Sequence, residues 1–334
     1  MDALNPTIPR WSIDEYVIQA ERFSGMHSIL VEGRTDKDVV ARVLGAYHGD
    51  DWSRRFHIDT AEFIESPRAQ PLGNREKVEA VFDSVSSPHS LTGLVDREYR
   101  GYTEIDYSNE LINDVCIKDA LYWTRGHSIE NAFLDRDIIK EVIRRQFPNC
   151  TDNKFFEAID EVHFSLVLEC AALCLALHDL ELLRLFSDVR NWDFRTLWLR
   201  SELGMHISES HLLKIFDAKK LDIDRQKGIL TRFNSLRYSL ISHSVIELEG
   251  LCHGHYGIQL YWNGLALLAV ESFGQVGDDS PRLAKFGDGD GWRLAAISAV
   301  LNDKRAVSQR APFILKACKV AEAEESPFEG TAPS

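Results

Sequence analysis

Positive charge is in deficit: 38 Lys and Arg face 52 Asp and Glu, leaving a formal charge of −14 over 334 residues. A surface so biased repels polyanions, which excludes a histone-like or general nucleic-acid coat. Cysteine is scarce, and Cys116, Cys150, Cys170, Cys174, Cys252 and Cys318 show no framework spacing. That excludes a disulfide miniprotein and points to reduced thiols in a cytoplasmic protein. Long apolar runs are missing too. The most apolar stretch, Phe164 to Leu177, contains Glu169 and falls short of the roughly 20 uncharged residues a bilayer span needs. It reads as a buried core helix, and no membrane association is expected. Nothing near Met1 combines a basic segment, an apolar core and a cleavage site, so no secretory leader is read. The P-loop pattern GxxxxGK[ST] is absent, so any ATP-driven step belongs to another chain. No internal repeat is evident. What is present, 44% hydrophobic and 10% aromatic residues, is the composition of a packed globule.

The first third alternates short apolar strands with amphipathic helices, the pattern of a parallel α/β sheet. Ser28 to Val31 is a compact strand ending at Glu32-Gly33; Val39, Val40, Val43 and Leu44 then recur at helical spacing, with Thr35 or Asp36 placed as the cap. Phe56 to Phe63 offers a second strand and Asn74 to Val85 a second helix. Leu91 to Val95 is a third strand, ending at Asp96. Ala120 to Trp123 runs into the polar segment Thr124 to Asn131. From Asp135 onward helical periods dominate: Ile138–Phe147, Asn153–Val189, Ser208–Lys220 and Ile223–Ile241. Gly250, Gly254, Gly257 and Gly264 read as punctuation, followed by a loop at Gly287–Gly291 and a helix from Trp292 to Leu301. The expected organisation is an N-terminal helical segment (1–24), an α/β domain (25–135), a mostly helical domain (136–320) and a disordered tail (321–334).

In open parallel sheets ligands bind beyond the carboxyl ends of the strands, and here those ends carry acids. Glu32 and Asp36 follow the first strand, Asp96 and Glu98 the third, and Glu130 lies in the segment after Trp123. Clustered carboxylates repel one another unless hard cations lie between them, and all-oxygen ligation suits Mg²⁺ or Mn²⁺. If the backbone stays extended past Val95, Asp96 and Glu98 point the same way and one ion could touch both. Arg34, Arg97, Arg100 and Arg125 lie beside these acids in an otherwise acidic chain. Carboxylate-bound metals interleaved with guanidinium groups suit a phosphodiester. Two ions roughly 3.5–4 Å apart could activate a water and stabilise the departing oxygen with no protein nucleophile.

Val31-Glu32-Gly33-Arg34-Thr35-Asp36, Gly93-Leu94-Val95-Asp96-Arg97-Glu98-Tyr99 and His127-Ser128-Ile129-Glu130-Asn131, in that order, resemble the Toprim fold of topoisomerases, primases and OLD-type nucleases. More closely, they are similar to the subfamily that serves as the AriB effector of PARIS anti-phage systems. The resemblance covers about residues 25–135 and implies a Toprim domain with a Rossmann-like, mostly parallel sheet. It implies a metal-dependent nuclease held inactive by an ABC-type ATPase partner (AriA-like) and released on infection, with tRNA favoured over DNA as substrate. Glu32, Asp36 and Asp96 match the acids of the first two motifs, and Ser128 and Glu130 match the Ser-x-Glu element. Glu98 departs from the aspartate usual there. Arg34, Arg97, Arg125 and Ser128 are the candidate phosphate-binding residues, and a homodimer is the expected active form.

Plainer readings stand beside these. Asp36 also fits a helix cap, and Ser128 to Asn131 also fit the start of the next helix. The acid pairs at Asp135/Asp137 and Asp222/Asp224 begin helices, where acids favour the dipole, and Asp288/Asp290 lies in a glycine loop. Cys252-His253-Gly254-His255 is spaced too tightly for a zinc finger. Lys140, Arg144 and Arg145 read as a solvated helix face. Two other functions remain open: a catalytically decayed adaptor that only docks on the ATPase, and a DNA-nicking or primase-like enzyme using the same metal site.

Overall fold

In the computed structural model the described residues are 10–22, 25–66, 71–85, 90–99, 116–118, 120–124, 126–273, 279–287, 290–301 and 312–318. They form two compact units. One holds those up to Val95, residues 116–123 and those from Pro312; the other holds those from Asp96 to Tyr99 and from Thr124 to Leu301.

The first unit is built on β1 (His27–Val31), β2 (Phe56–Thr60), β3 (Leu91–Val95), β4 (Cys116–Lys118) and β5 (Leu121–Trp123), in the order β2-β1-β3-β5-β4. Four strands are parallel, and β4 runs antiparallel at the edge. A strand covered on both faces must be apolar throughout rather than alternating. Accordingly Ile29, Leu30 and Val31 are fully buried, as is every residue of β3. Thr92, the polar exception, meets His27 Nε2 at 2.6 Å. Gly93 lies where a Cβ would stand 2.5 Å from the Phe82 ring and 2.6 Å from Leu121 Cδ1; only a glycine lets the helix Asn74–Ser84 come that close. The strands at 28–31 and 91–95 fall where the hydrophobic pattern places them, and the architecture is α/β with a parallel sheet.

Three boundaries differ from the linear reading, the first being that the described residues within 96–99 and 124–135, expected in the α/β domain, belong to the second unit. The N-terminal helix Ile13–Arg22 is part of the sheet unit: Tyr16 and Ala20 enter the core with Leu30, Val81 and Phe82. Trp11 N–H donates to Phe63 O at 2.8 Å and Glu65 N–H to Trp11 O at 2.7 Å, tying that helix to the stretch after β2. Near the other end, the helix Pro312–Ala317 packs on β3 and β5 and so belongs to the sheet, not to the helical region. The stretch 321–334 lies outside the described residues.

The second unit is organised around the helix Asn153–Asp179, whose segment Phe164–Leu177 is almost wholly buried, as its composition implies. The helix stops ten residues before Val189 in a Schellman motif: Glu181 takes φ +58, its N–H reaches His178 O at 2.8 Å, and Leu182 N–H reaches Leu177 O at 2.7 Å. No glycine marks that stop, which is why the sequence pattern overruns it. Helices Ile223–Leu240, Val245–Leu251 and Tyr256–Phe273 pack on this axis. A hairpin of β6 (Trp198–Ser201) and β7 (Gly204–Ile207), absent from the sequence reading, joins them. No helix among the described residues is long and apolar enough to cross a membrane.

The glycines at 257 and 264 are not punctuation. Both lie inside the helix Tyr256–Phe273, where a Cβ on Gly264 would stand 2.3 Å from Leu166 Cδ2 and one on Gly257 3.2 Å from Cys174 Sγ. They let two buried helices approach. Gly264→Ala is expected to destabilise by about 1–3 kcal/mol through overpacking. Gly228→Ala, in a helix with nothing within 4 Å of the added carbon, should gain roughly 0.5–1 kcal/mol. Urea midpoints moving in opposite directions would check both; equal shifts would refute the packing role.

Candidate functional site

The register sets Val31 of β1 opposite Leu94 of β3 in parallel strands, so the two chains leave the sheet at the same edge. Glu32 is the next residue after β1, and Asp96 the next after Val95. Glu32 is half-buried. Asp36, three residues into the helix Arg34–His48, takes the capping role: its Oδ2 accepts from Gly33 N–H at 3.0 Å. Arg34, 72% exposed in its side chain, pairs with Glu62 at 3.1 Å.

In the second unit Asp96 Oδ1 accepts from Ile129 N–H at 3.0 Å, which fixes the carboxylate at the start of the short 3₁₀ helix Ile129–Phe133. The extended backbone expected beyond Val95 is not found. Glu98 adopts φ +54 in a turn, with its N–H on His127 O at 2.7 Å, and its side chain is exposed. Asp96 and Glu98 therefore do not alternate as strand residues do. A left-handed backbone at a non-glycine costs energy, and such strain gathers at functional sites. Arg97 is buried, with its backbone N–H on Thr124 Oγ1 at 3.0 Å, so it is an interior residue rather than an open phosphate clamp. Arg100 and Arg125 lie outside the described residues.

Ser128 and Glu130 are buried. Ser128 N–H and Oγ both reach Asn131 Oδ1, at 2.8 and 3.1 Å, so the serine is spent on local capping, the plainer of its two readings. Asn131 Nδ2 in turn donates to Glu249 O at 2.6 Å and Cys252 O at 2.8 Å. These bonds pin the 128–131 segment to the turn between helices Val245–Leu251 and Tyr256–Phe273. Gly254 in that turn is obligatory: a Cβ there would stand 1.8 Å from Ser128 Oγ and 3.1 Å from Glu130 Oε2.

Glu130 Oε1 pairs with Arg293 Nη2 at 2.6 Å, and that nitrogen is also 2.9 Å from His255 Nδ1. The sequence reading missed Arg293. Its signal was a lone basic residue in the apolar helix Asp290–Val300, preceding the buried Ala296 and Ile297 by one turn. Missed as well is a ring cluster: His127 lies 4.2 Å from His253 and 4.5 Å from Tyr99 between centroids, Tyr99 lies 4.4 Å from His178, and His253 stacks on Tyr256 at 4.4 Å. Burial, aided by the like charges of His255 and His178, pushes the His253 imidazole down to about 3.

That depression carries a pH dependence. The unfolded chain protonates this histidine near 6.5 while the folded chain resists to about 3. Between those values the unfolded state holds more protons, so stability is whole above pH 6.5 and falls on acidification, by about 1.4 kcal/mol per pH unit for one proton. His253→Gln should flatten this acid limb in urea titrations at pH 5 and 7; an unchanged slope would contradict the buried neutral assignment.

The other candidates resolve as structure. Asp135 Oδ1 accepts from the N–H groups of Asp137 and Ile138, and Asp222 Oδ1 from Arg225 N–H, both at helix starts. Asp288 lies outside the described residues. Lys140 pairs with Asp160, Arg145 pairs with Glu141 at 2.7 Å, and Arg144 lies over the Phe156 ring. Burial pushes the Cys174 thiol up to about 12 and the Cys170 and Cys252 thiols well above their ordinary value, which leaves all three as packing groups.

Among the described residues no three His, Cys, Asp or Glu side chains gather closely enough to hold a metal ion. The donor chemistry nonetheless fits a hard divalent cation: the motif residues offer carboxylate oxygens only, and the buried Glu130 Oε2 has no hydrogen-bond partner among the described residues. No protein-family model matches the chain, and no curated protein matches it.

Proposed function

We propose that the chain is a divalent-cation-dependent nuclease of the Toprim type. The observation that carries this reading is the pairing of β1 with β3: two parallel neighbours, each ending at the same sheet edge and each followed directly by an acid, Glu32 and Asp96. Glu32, Asp96 and Glu130 are the carboxylates that would hold Mg²⁺ or Mn²⁺, with two ions as the expected complement. Asp36 and Glu98 are supporting acids, the first already engaged as a cap and the second presented on a strained turn. When bound, such ions lower the pKa of a coordinated water and stabilise the leaving oxygen of a phosphodiester.

The chain's own residues do the rest. Asn131 and Gly254 hold the Ser128–Glu130 segment in place, and Asp96 is oriented by the Ile129 N–H. Arg34 is the proposed phosphate contact, because it is exposed and an exposed ion pair such as Arg34–Glu62 is worth at most about 1 kcal/mol and exchanges readily. The net negative charge means that substrate is gripped locally rather than drawn in by the whole surface. RNA, with tRNA favoured over DNA, is the proposed substrate. An ABC-type ATPase is the proposed partner, a homodimer the proposed active form, and the cytoplasm the proposed compartment.

The test is to incubate the purified chain, with its activated partner, with tRNA and with plasmid under Mg²⁺, Mn²⁺ or chelator. Metal-dependent strand cleavage is the expected result. Arg293 seated on Glu130 favours the alternative, a decayed adaptor, and absence of cleavage in every metal arm would select it.

A further inference from the structure

We propose that Arg293 is a built-in counter-cation for Glu130, one that must give way before this carboxylate can take up a divalent ion. The inference rests on the nuclease reading and adds to it a control over the metal site.

Glu130 is 4% exposed, and a carboxylate in such surroundings needs a compensating charge. The second unit supplies it from within. Arg293 Nη2 forms an ion pair with Glu130 Oε1 at 2.6 Å and lies 2.9 Å from His255 Nδ1. The same nitrogen thus contacts both the carboxylate and the imidazole. The second carboxylate oxygen, Oε2, is buried and has no hydrogen-bond partner among the described residues. Beside it lies Gly254, where even one added carbon would stand 3.1 Å from that oxygen. Glu130 thus presents one oxygen neutralised by arginine and one with unmet acceptor capacity.

A divalent ion arriving at Oε2 would stand within a few ångströms of the guanidinium. Like charges that close, in partly buried surroundings, repel strongly enough to shift an affinity by on the order of tenfold or more. Cation and arginine accordingly compete for one carboxylate. Three elements meet at this latch: the 3₁₀ helix Ile129–Phe133, the turn carrying His255, and the helix Asp290–Val300. Displacing that last helix, or loosening the His255 contact, would release Glu130.

The experiment is Mn²⁺ titration calorimetry on the full chain, with the Mn²⁺-induced shift in melting temperature as a second readout. Arg293→Gln should bind Mn²⁺ at least about tenfold more tightly than wild type, and Arg293→Lys, which keeps the charge, should resemble wild type. Glu130→Gln combined with Arg293→Gln should lose the gain. If Arg293→Gln does not fold, His255→Ala removes only the acceptor on Nη2 and should tighten binding a few-fold. Unchanged or weaker binding in the folded variants overturns the latch. Glu32→Ala, run in parallel, separates the two levels: weakened binding there with no gain in Arg293→Gln rejects the latch alone, whereas Mn²⁺ binding indifferent to Glu32→Ala and Asp96→Asn rejects the nuclease reading beneath it.

Discussion

Glu32→Ala is expected to lower metal-dependent RNA cleavage at least a thousandfold, equivalent to about 4 kcal/mol of transition-state stabilisation. The size follows from position. Glu32 is the first residue after a strand buried from Ser28 to Val31 and paired in parallel with β3, so its backbone position is fixed by the sheet. Melting temperature should change far less than activity, because Glu32 is half-buried and lies beyond the last paired residue of β1. Asp36→Ala should behave differently. Its carboxylate accepts from Gly33 N–H, so its loss costs about 1 kcal/mol in helix stability, with a fall in cleavage nearer tenfold. Rates on tRNA at saturating Mg²⁺, with melting temperatures for the same proteins, distinguish the two. Glu32→Ala retaining more than a tenth of wild-type activity would contradict its assignment as a ligand.

The largest effect on stability belongs to Arg237. Glu169, the one charge in the apolar stretch of the long helix, is 1% exposed. It is compensated by Arg237 Nε at 2.7 Å, Ile207 N–H at 3.0 Å and His206 Nδ1 at 3.4 Å. Removing one partner of a buried pair leaves the other charge stranded, at a cost of about 3–5 kcal/mol. Arg237→Leu should therefore lower the melting temperature by roughly 10 °C in a unit of this size. Adding Glu169→Gln to that variant should recover part of the loss, since the amide keeps an acceptor for Ile207 N–H without a buried charge. A drop of less than 2 °C for Arg237→Leu would show that Glu169 is satisfied by the backbone alone.

What the sequence made legible was whatever follows from local periodicity. Strands at 28–31 and 91–95 stood out because two-sided burial makes them continuous apolar runs, and the acids after them followed directly. The turn at Glu98 was illegible, since a non-glycine at φ +54 has no signature in a pattern that predicts extension. The glycines at 257 and 264 misled for the opposite reason: helix–helix closeness and chain reversal both call for glycine, and only the contacts with Cys174 and Leu166 tell them apart. Arg293 reaches Glu130 across more than 160 positions of chain, a separation at which spacing carries no information. The strands β6 and β7 are four residues each, too short for a clear period, and β6, with Leu199 exposed, lacks the alternation that marks a half-buried strand.

The central claim is that the acids after β1 and β3 are cation ligands. Crystals soaked in Mn²⁺ and measured at a wavelength where manganese scatters anomalously address it directly. Anomalous density coordinated by the carboxylates of Glu32 and Asp96 is the predicted result, and density elsewhere only, or none at millimolar Mn²⁺, would contradict it.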